Sequence, residues 1–262
     1  MFRGVFFSVI VVMLISFTVP LYAVNIAIVD FADEWNKQAC LGSLLDDLGQ
    51  KYVDITTMVE KGELKVDGYN TFIIGSFVTN NAVLLNSLNN NAANIEQFLA
   101  DGGSIIELTQ ADQNQAQIKW LPKPLEAART DLDYAQIVIL DKAHPIFNKP
   151  NKLGEAELSG WGIKSGGWST AWETFGTHSG FNVLAAKDNA GSNPCILDGN
   201  YKNGRVLLLS IAPDKKHILG TTPASTENSM KLMENILTEY SPAPVESRDK
   251  IATVWGNIKS DI

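Results

Sequence analysis

The feature that most constrains this chain is the junction between Phe98 and Thr109. An amphipathic helix runs out at Ala100-Asp101-Gly102-Gly103, and an apolar run, Ser104 to Thr109, follows at once. A helix stopped by a glycine pair and followed by a buried strand is half of an α/β unit. The same alternation is found on both sides. Val24 to Asp30 reads as a first buried strand, and Gln38 to Leu48, with Leu41, Leu44, Leu45 and Leu48 on one face, as a helix. Tyr52 to Thr56 and Tyr69 to Gly75 read as second and third strands, and Asn80 to Ala100 as two helices or one bent one. Repeated strand–helix alternation implies a mostly parallel sheet covered on both faces.

Regularity weakens after Gln110. Residues 111–129 read as a long loop, Tyr134 to Leu140 as a strand, and 148–180 as an irregular stretch rich in Gly, Ser and Trp. Phe181 to Ala186 is a further strand. Cys195 to Asp198 and Arg205 to Ser210 form a hairpin around Lys202-Asn203-Gly204, where Asn-Gly accepts the positive φ of a tight turn. Ser225 to Tyr240 closes the domain as a helix with Met230, Met233, Ile236 and Leu237 inward. The expected fold is α/β: a flavodoxin-like three-layer sandwich with a mostly parallel central sheet and a late antiparallel hairpin.

Residues 1–23 have the pattern of an export signal: Arg3, an apolar run from Val5 to Val19, and Ala23 closing a cleavage-type region. The run is short of the about 20 residues a spanning helix needs. An uncleaved anchor is the alternative. The expectation is a secreted or periplasmic protein with no membrane span after cleavage, whose α/β domain covers 24–240 and whose linker and tail cover 241–262. Trp255 in that tail would dock on the body, remain free or be read by a partner.

With 21 basic and 29 acidic residues the net charge is −8. That balance disfavours nucleic acid and anionic membrane surfaces as partners, because both need a basic footprint. Cys40 and Cys195 could pair after export or remain two buried thiols. No phosphate loop or dinucleotide fingerprint occurs, since Gly102-Gly103 precedes a strand where those motifs follow one. No cofactor is implied.

Three segments carry a likeness to a known family: Tyr69 to Ser76, Phe98 to Ile106 and Asn203 to Ser210. Together they resemble the class I glutamine amidotransferase-like superfamily, in particular its ThuA-like and β-galactosidase trimerisation-type branches. His144 to Asn151 is similar to a segment of accessory domains attached to LmbE-type sugar deacetylases. The resemblance implies a carbohydrate-related role or, through the trimerisation-type branch, a homo-oligomer. In amidotransferases a Cys at a strand-to-helix elbow attacks the amide and a His after a late strand assists. Here the elbow falls near Gln110, and neither cysteine lies there.

The candidate site is therefore the carboxyl edge of the sheet, where open α/β sheets bind ligands. Asp30, Phe31, Ser76 and Gln110 stand at strand ends. Trp161, Trp168 and Trp172 lie in the Gly/Ser-rich stretch, where flat rings could stack on a sugar, fill a partner's pocket or pack as core. Trp35 and Trp120 could join the same rim. The expected partner is a carbohydrate or an envelope or secreted protein. The alternative is a sugar or amide hydrolase with His217, Glu107 or Asp112 as acid–base groups, and Glu155, Glu157 and Glu173 as further carboxylates. His217 also reads as a surface-loop residue, and Glu107 as half of a buried ion pair. His144, His178 and His217 lack the close spacing of metal ligands, and no metal is expected.

Overall fold

The computed structural model describes residues 25–108, 118–163 and 169–241. Residues 1–23, expected to be an export signal, and Gln110, Asp112, Trp168 and the Trp255 tail lie outside them.

Four strands are buried along nearly their whole length: β1 (Ile26–Val29), β3 (Thr71–Ile74), β4 (Ser104–Glu107) and β10 (Gly204–Leu209). Strands covered on both faces need continuous apolar runs, which is why these segments do not alternate with polar residues. Short β2 (Tyr52–Asp54) takes the edge, with its side chains half out in solvent. The order β2-β1-β3-β4-β10 is parallel throughout, and β9 (Ile196–Tyr201), β8 (Phe181–Ala186) and β6 (Val138–Ile139) extend it antiparallel to eight strands. A separate antiparallel pair joins β5 (Glu126–Arg129) to β7 (Phe175–Ser179).

Side-chain alternation divides the core in two. Ile26, Ile28, Ile73, Ile106, Leu207 and Leu209 face α1 (Leu41–Asp47) and the long α7 (Pro223–Tyr240). Ala27, Val29, Phe72, Ile74, Ile105 and Leu208 face α3 (Ala82–Asn90), α4 (Ala92–Ala100) and α2 (Thr56–Glu60). Helices on both faces of a 2-1-3-4-5 parallel array make a flavodoxin-like three-layer sandwich. The register sets Val29 beside Ile74, and Ile74 and Leu208 beside Glu107, so the carboxyl ends of β1, β3, β4 and β10 lie level.

Residues 80–100 form two helices, the first of the two expected readings, with Asn81 capping α3 through bonds from the Val83 and Leu84 amides. Several other segments differ from the sequence-based expectation. The run Tyr134 to Leu140 pairs only at Val138–Ile139, because Tyr134 turns away to bridge Ala171. β5 and β7 occupy stretches read as loop. α5 (Glu155–Leu158) and α6 (Pro213–Leu219) were likewise hidden among polar residues. In the β9–β10 turn the positive φ, 51°, falls on Lys202. Gly204 is required for another reason: a Cβ there would run into the carbonyl oxygens of Leu99 and Gly103.

No helix among the described residues is long and apolar enough to cross a membrane. Cys40 and Cys195 are free and buried. Cys40 contacts the Gln38 carbonyl at the start of α1, while Cys195 sits in the core beside Tyr134, so the two thiols serve different elements and the disulfide that export would permit is not made.

Candidate functional site at the carboxyl edge

Strand order reverses between β1 and β3, and the crevice beyond their carboxyl ends is the usual ligand position in such a sheet. Asp30 stands at the end of β1, accepting from the Phe31 amide at 2.9 Å and from the Gly42 amide of α1 at 3.0 Å. Burial raises its pKa, with the nearby Asp214 carboxylate adding to the effect against those two amides. Gly75 lets β3 end close by, since a Cβ there would lie 3.1 Å from the Val29 carbonyl oxygen and 3.3 Å from the Asp30 carboxylate.

α6 enters this crevice from the far side. Ala212, after β10, and Phe77, after β3, both adopt left-handed backbone with φ of 44° and 67°. Such turns in non-glycine residues persist only where the surroundings hold them. The first turns out of Ala212 bury Asp214, Lys215 and Lys216 completely. Asp214 accepts from the Ser76 amide at 3.1 Å and contacts the Ser76 hydroxyl, which also lies 2.7 Å from the Leu108 carbonyl oxygen. Lys215 donates to the Gln38 carbonyl at 2.6 Å and the Phe31 carbonyl at 3.1 Å, and pairs with Asp33 at 3.0 Å. Three acceptors use the three donors of an ammonium. Burial alone would lower the Lys215 pKa, but Asp214 and Asp33 hold it above the ordinary lysine value.

Lys216 has the opposite setting. Its ammonium donates to the carbonyls of Ser169 at 2.7 Å and Trp161 at 3.3 Å, and lies 3.3 Å from the centre of the Trp172 ring. Burial lowers its pKa to about 6, with only Asp133 opposing. Phe77 lies 6.4 Å from Trp172 and 5.3 Å from Trp35, whose side of the row is open: Trp35 is 53% exposed.

The structure thus brings together Asp30, Phe31 and Ser76, all expected at the edge, and ties them through Asp214 and Lys215. The aromatic expectation changes. Trp161 is core, its indole donating to the Glu157 carbonyl at 2.8 Å, and Trp172 is covered by Lys216. Trp120 is buried in the core of the opposite face. Among the described residues, Trp35 is the tryptophan that reaches solvent at this edge.

The acid–base candidates are held apart. Glu107 pairs with Arg129 at 3.4 Å, and Arg129 donates to the Leu209 carbonyl and lies over the Phe175 ring at 4.7 Å. His217 belongs to α6, where its ring nitrogens meet Asp47 of α1 at 2.8 Å and the Thr226 carbonyl of α7 at 2.9 Å. It is a clasp between helices instead of a loop residue. His178 lies in β7 and His144 caps the short turn before Asn148, and the described residues hold no group of three metal-type ligands. The lysines escaped the sequence reading. Pro213 at the first helical position with Asp214 behind it is a helix-start signal, but nothing local shows that two adjacent lysines are buried.

Fold and edge together define a flavodoxin-like α/β sandwich whose switch-point crevice is occupied by its own charged side chains. No family model matches the chain, and no curated protein matches it. Among solved structures it is similar to a cytoplasmic protein from Salmonella typhimurium LT2, at a TM-score of 0.51 and 13% identity over 82% of this chain and 98% of that one. Others include a β-galactosidase from Rahnella sp. R3, at 0.47 and 11% identity over 84% of this chain, and a ThuA-like protein from Bacteroides uniformis, at 0.45 and 15% over 80% of this chain and 87% of that one. The chain spans only 31% of the β-galactosidase's length. At these identities the likeness concerns fold alone.

Proposed function

We propose that the chain is an exported, non-catalytic binding domain that takes a carbohydrate-related ligand on the aromatic rim of its carboxyl edge. The observation that carries this reading is the Trp35–Phe77 pair, one ring open to solvent and the other fixed above a saturated ionic network. A flat, held aromatic face buries a ring at little entropic loss. Supporting the non-catalytic part, Asp30, Asp33, Asp214 and Lys215 spend their hydrogen bonds on one another, on backbone and on the Asn36 and Ser76 side chains. Burial also pushes both cysteine thiols up to about 12, far from the thiolate a nucleophile needs.

The test is a thermal-shift screen of residues 24–262 against neutral mono- and oligosaccharides, repeated on Trp35→Ala. A native-state ligand raises the melting temperature by mass action. The reading expects a rise that Trp35→Ala removes while its own unliganded melting temperature stays within a degree or two of the parent, as for a surface change. An exposed tryptophan also suits a protein partner. A flat response to every sugar, with Trp35→Ala abolishing capture of an envelope protein, would favour that second reading.

A further inference from the structure

At the opposite end of the sheet a second concavity opens, and several polar groups around it remain unspent. It occupies about 480 Å³ before the amino ends of β3 and β4, between residues 64–70 and the last turns of α4. Small-molecule sites fall in the range of about 300–1,000 Å³. The Phe98 ring forms part of its wall and packs so closely on Gly103 that a Cβ there would collide with it. The rest of the lining is rich in planar polar groups.

Their hydrogen-bonding state contrasts with that of the Asp30, Asp33, Asp214 and Lys215 network at the carboxyl edge. No described residue engages the Asp67 carboxylate, the Tyr69 hydroxyl or the Asn70 carboxamide. Asn94 and Gln97 each donate once through the side-chain amide, to Asn91 at 3.0 Å and to Asp101 at 2.9 Å, and their side-chain carbonyl oxygens accept from no described residue. An amide supplies two donors and an acceptor, a carboxylate accepts only, and a phenol does both. Such a set, alternating donors and acceptors beside aromatic carbon, matches the vicinal hydroxyls and C–H face of a sugar ring. Lys65 is turned to Glu63 at 3.0 Å, so the carboxylates of Asp67 and Asp101 leave the cleft unsuited to anions.

The geometry points to a second binding site here, for a neutral polyhydroxylated ligand of monosaccharide or disaccharide size. It does not depend on the aromatic-edge reading, because the two sites lie at opposite ends of the strands. Asp67 and Asn70 are exposed, so both can be changed without disturbing the core.

Titration of the 24–262 protein with methyl α-glucoside, methyl α-galactoside and methyl α-mannoside, followed by amide chemical shifts, tests it. Saturable shifts at Asp67, Tyr69, Asn70 and Gln97 with at least one glycoside are expected. Asp67→Ala should weaken that binding about tenfold, the loss carried by one hydrogen bond to a charged group, and Trp35→Ala should leave it unchanged. Glucuronate, the anionic control, should bind at least tenfold more weakly. Absence of saturable shifts in the cleft with all three glycosides would overturn the proposal. Binding that survives Asp67→Ala with Asn70→Ala but disappears in Trp35→Ala would equally do so.

Discussion

The two adjacent lysines of α6 show how much a single position depends on its surroundings. Lys215 is fully buried but faces carboxylates, and removing one partner of a buried ionic network leaves the others uncompensated, a loss of about 3–5 kcal/mol. Lys215→Met is therefore expected to destabilise the protein by about that amount in equilibrium denaturation. Lys216 faces carbonyls and an indole. An unfolded lysine keeps its proton up to about 10.5, whereas burial lets folded Lys216 release it near 6. Between those values the unfolded chain binds more protons, so the native state gains stability as pH rises, and the burden is fullest below pH 6. Comparing the parent with Lys216→Met across pH 6 to 10 checks this. The stability of the parent relative to the variant should climb with pH, and a constant difference would mean that Lys216 keeps its proton in the fold.

At the scale of elements, what the sequence reveals depends on whether a segment's residues carry their own reason for its structure. β1, β3, β4 and β10 are buried on both faces and carry unbroken apolar runs, so their existence is legible from Ile26–Val29 or Leu207–Leu209 alone. β7 is Phe-Gly-Thr-His-Ser, with no alternation to read, and exists because Glu126–Arg129 lies alongside it. α6 reads as a charged loop because the acceptors that make its lysines tolerable come from residues 31–38 and 161–169. The same logic divides the site. Asp30 and Ser76 are found by their place after a strand, whereas burial of Trp161 and exposure of Trp35 are decided by distant packing. The β9–β10 turn offers a direct check. Gly204→Ala should lose about 1–3 kcal/mol through crowding against Leu99 and Gly103, while Asn203→Ala, on the exposed side of the turn, should change stability far less.

Across the whole molecule the two ends of the parallel strands have different characters. The carboxyl edge, where this architecture ordinarily binds ligands, is closed by α6 and its ionic contacts, leaving an aromatic rim as the open surface. The amino edge retains a cleft with unspent donors and acceptors. The Glu107–Arg129 pair and the His217 clasp fix opposite faces of the sheet and do not converge on one reacting centre. These placements fit the proposed reading of a domain that binds through its surfaces. The most direct measurement of the central claim is an amide and indole chemical-shift map of the 24–262 protein titrated with a neutral oligosaccharide such as maltotriose or cellotriose. The account predicts saturable shifts centred on the Trp35 indole, Phe31 and Phe77, lost in Trp35→Ala. Saturable binding that leaves these three residues unmoved would contradict it.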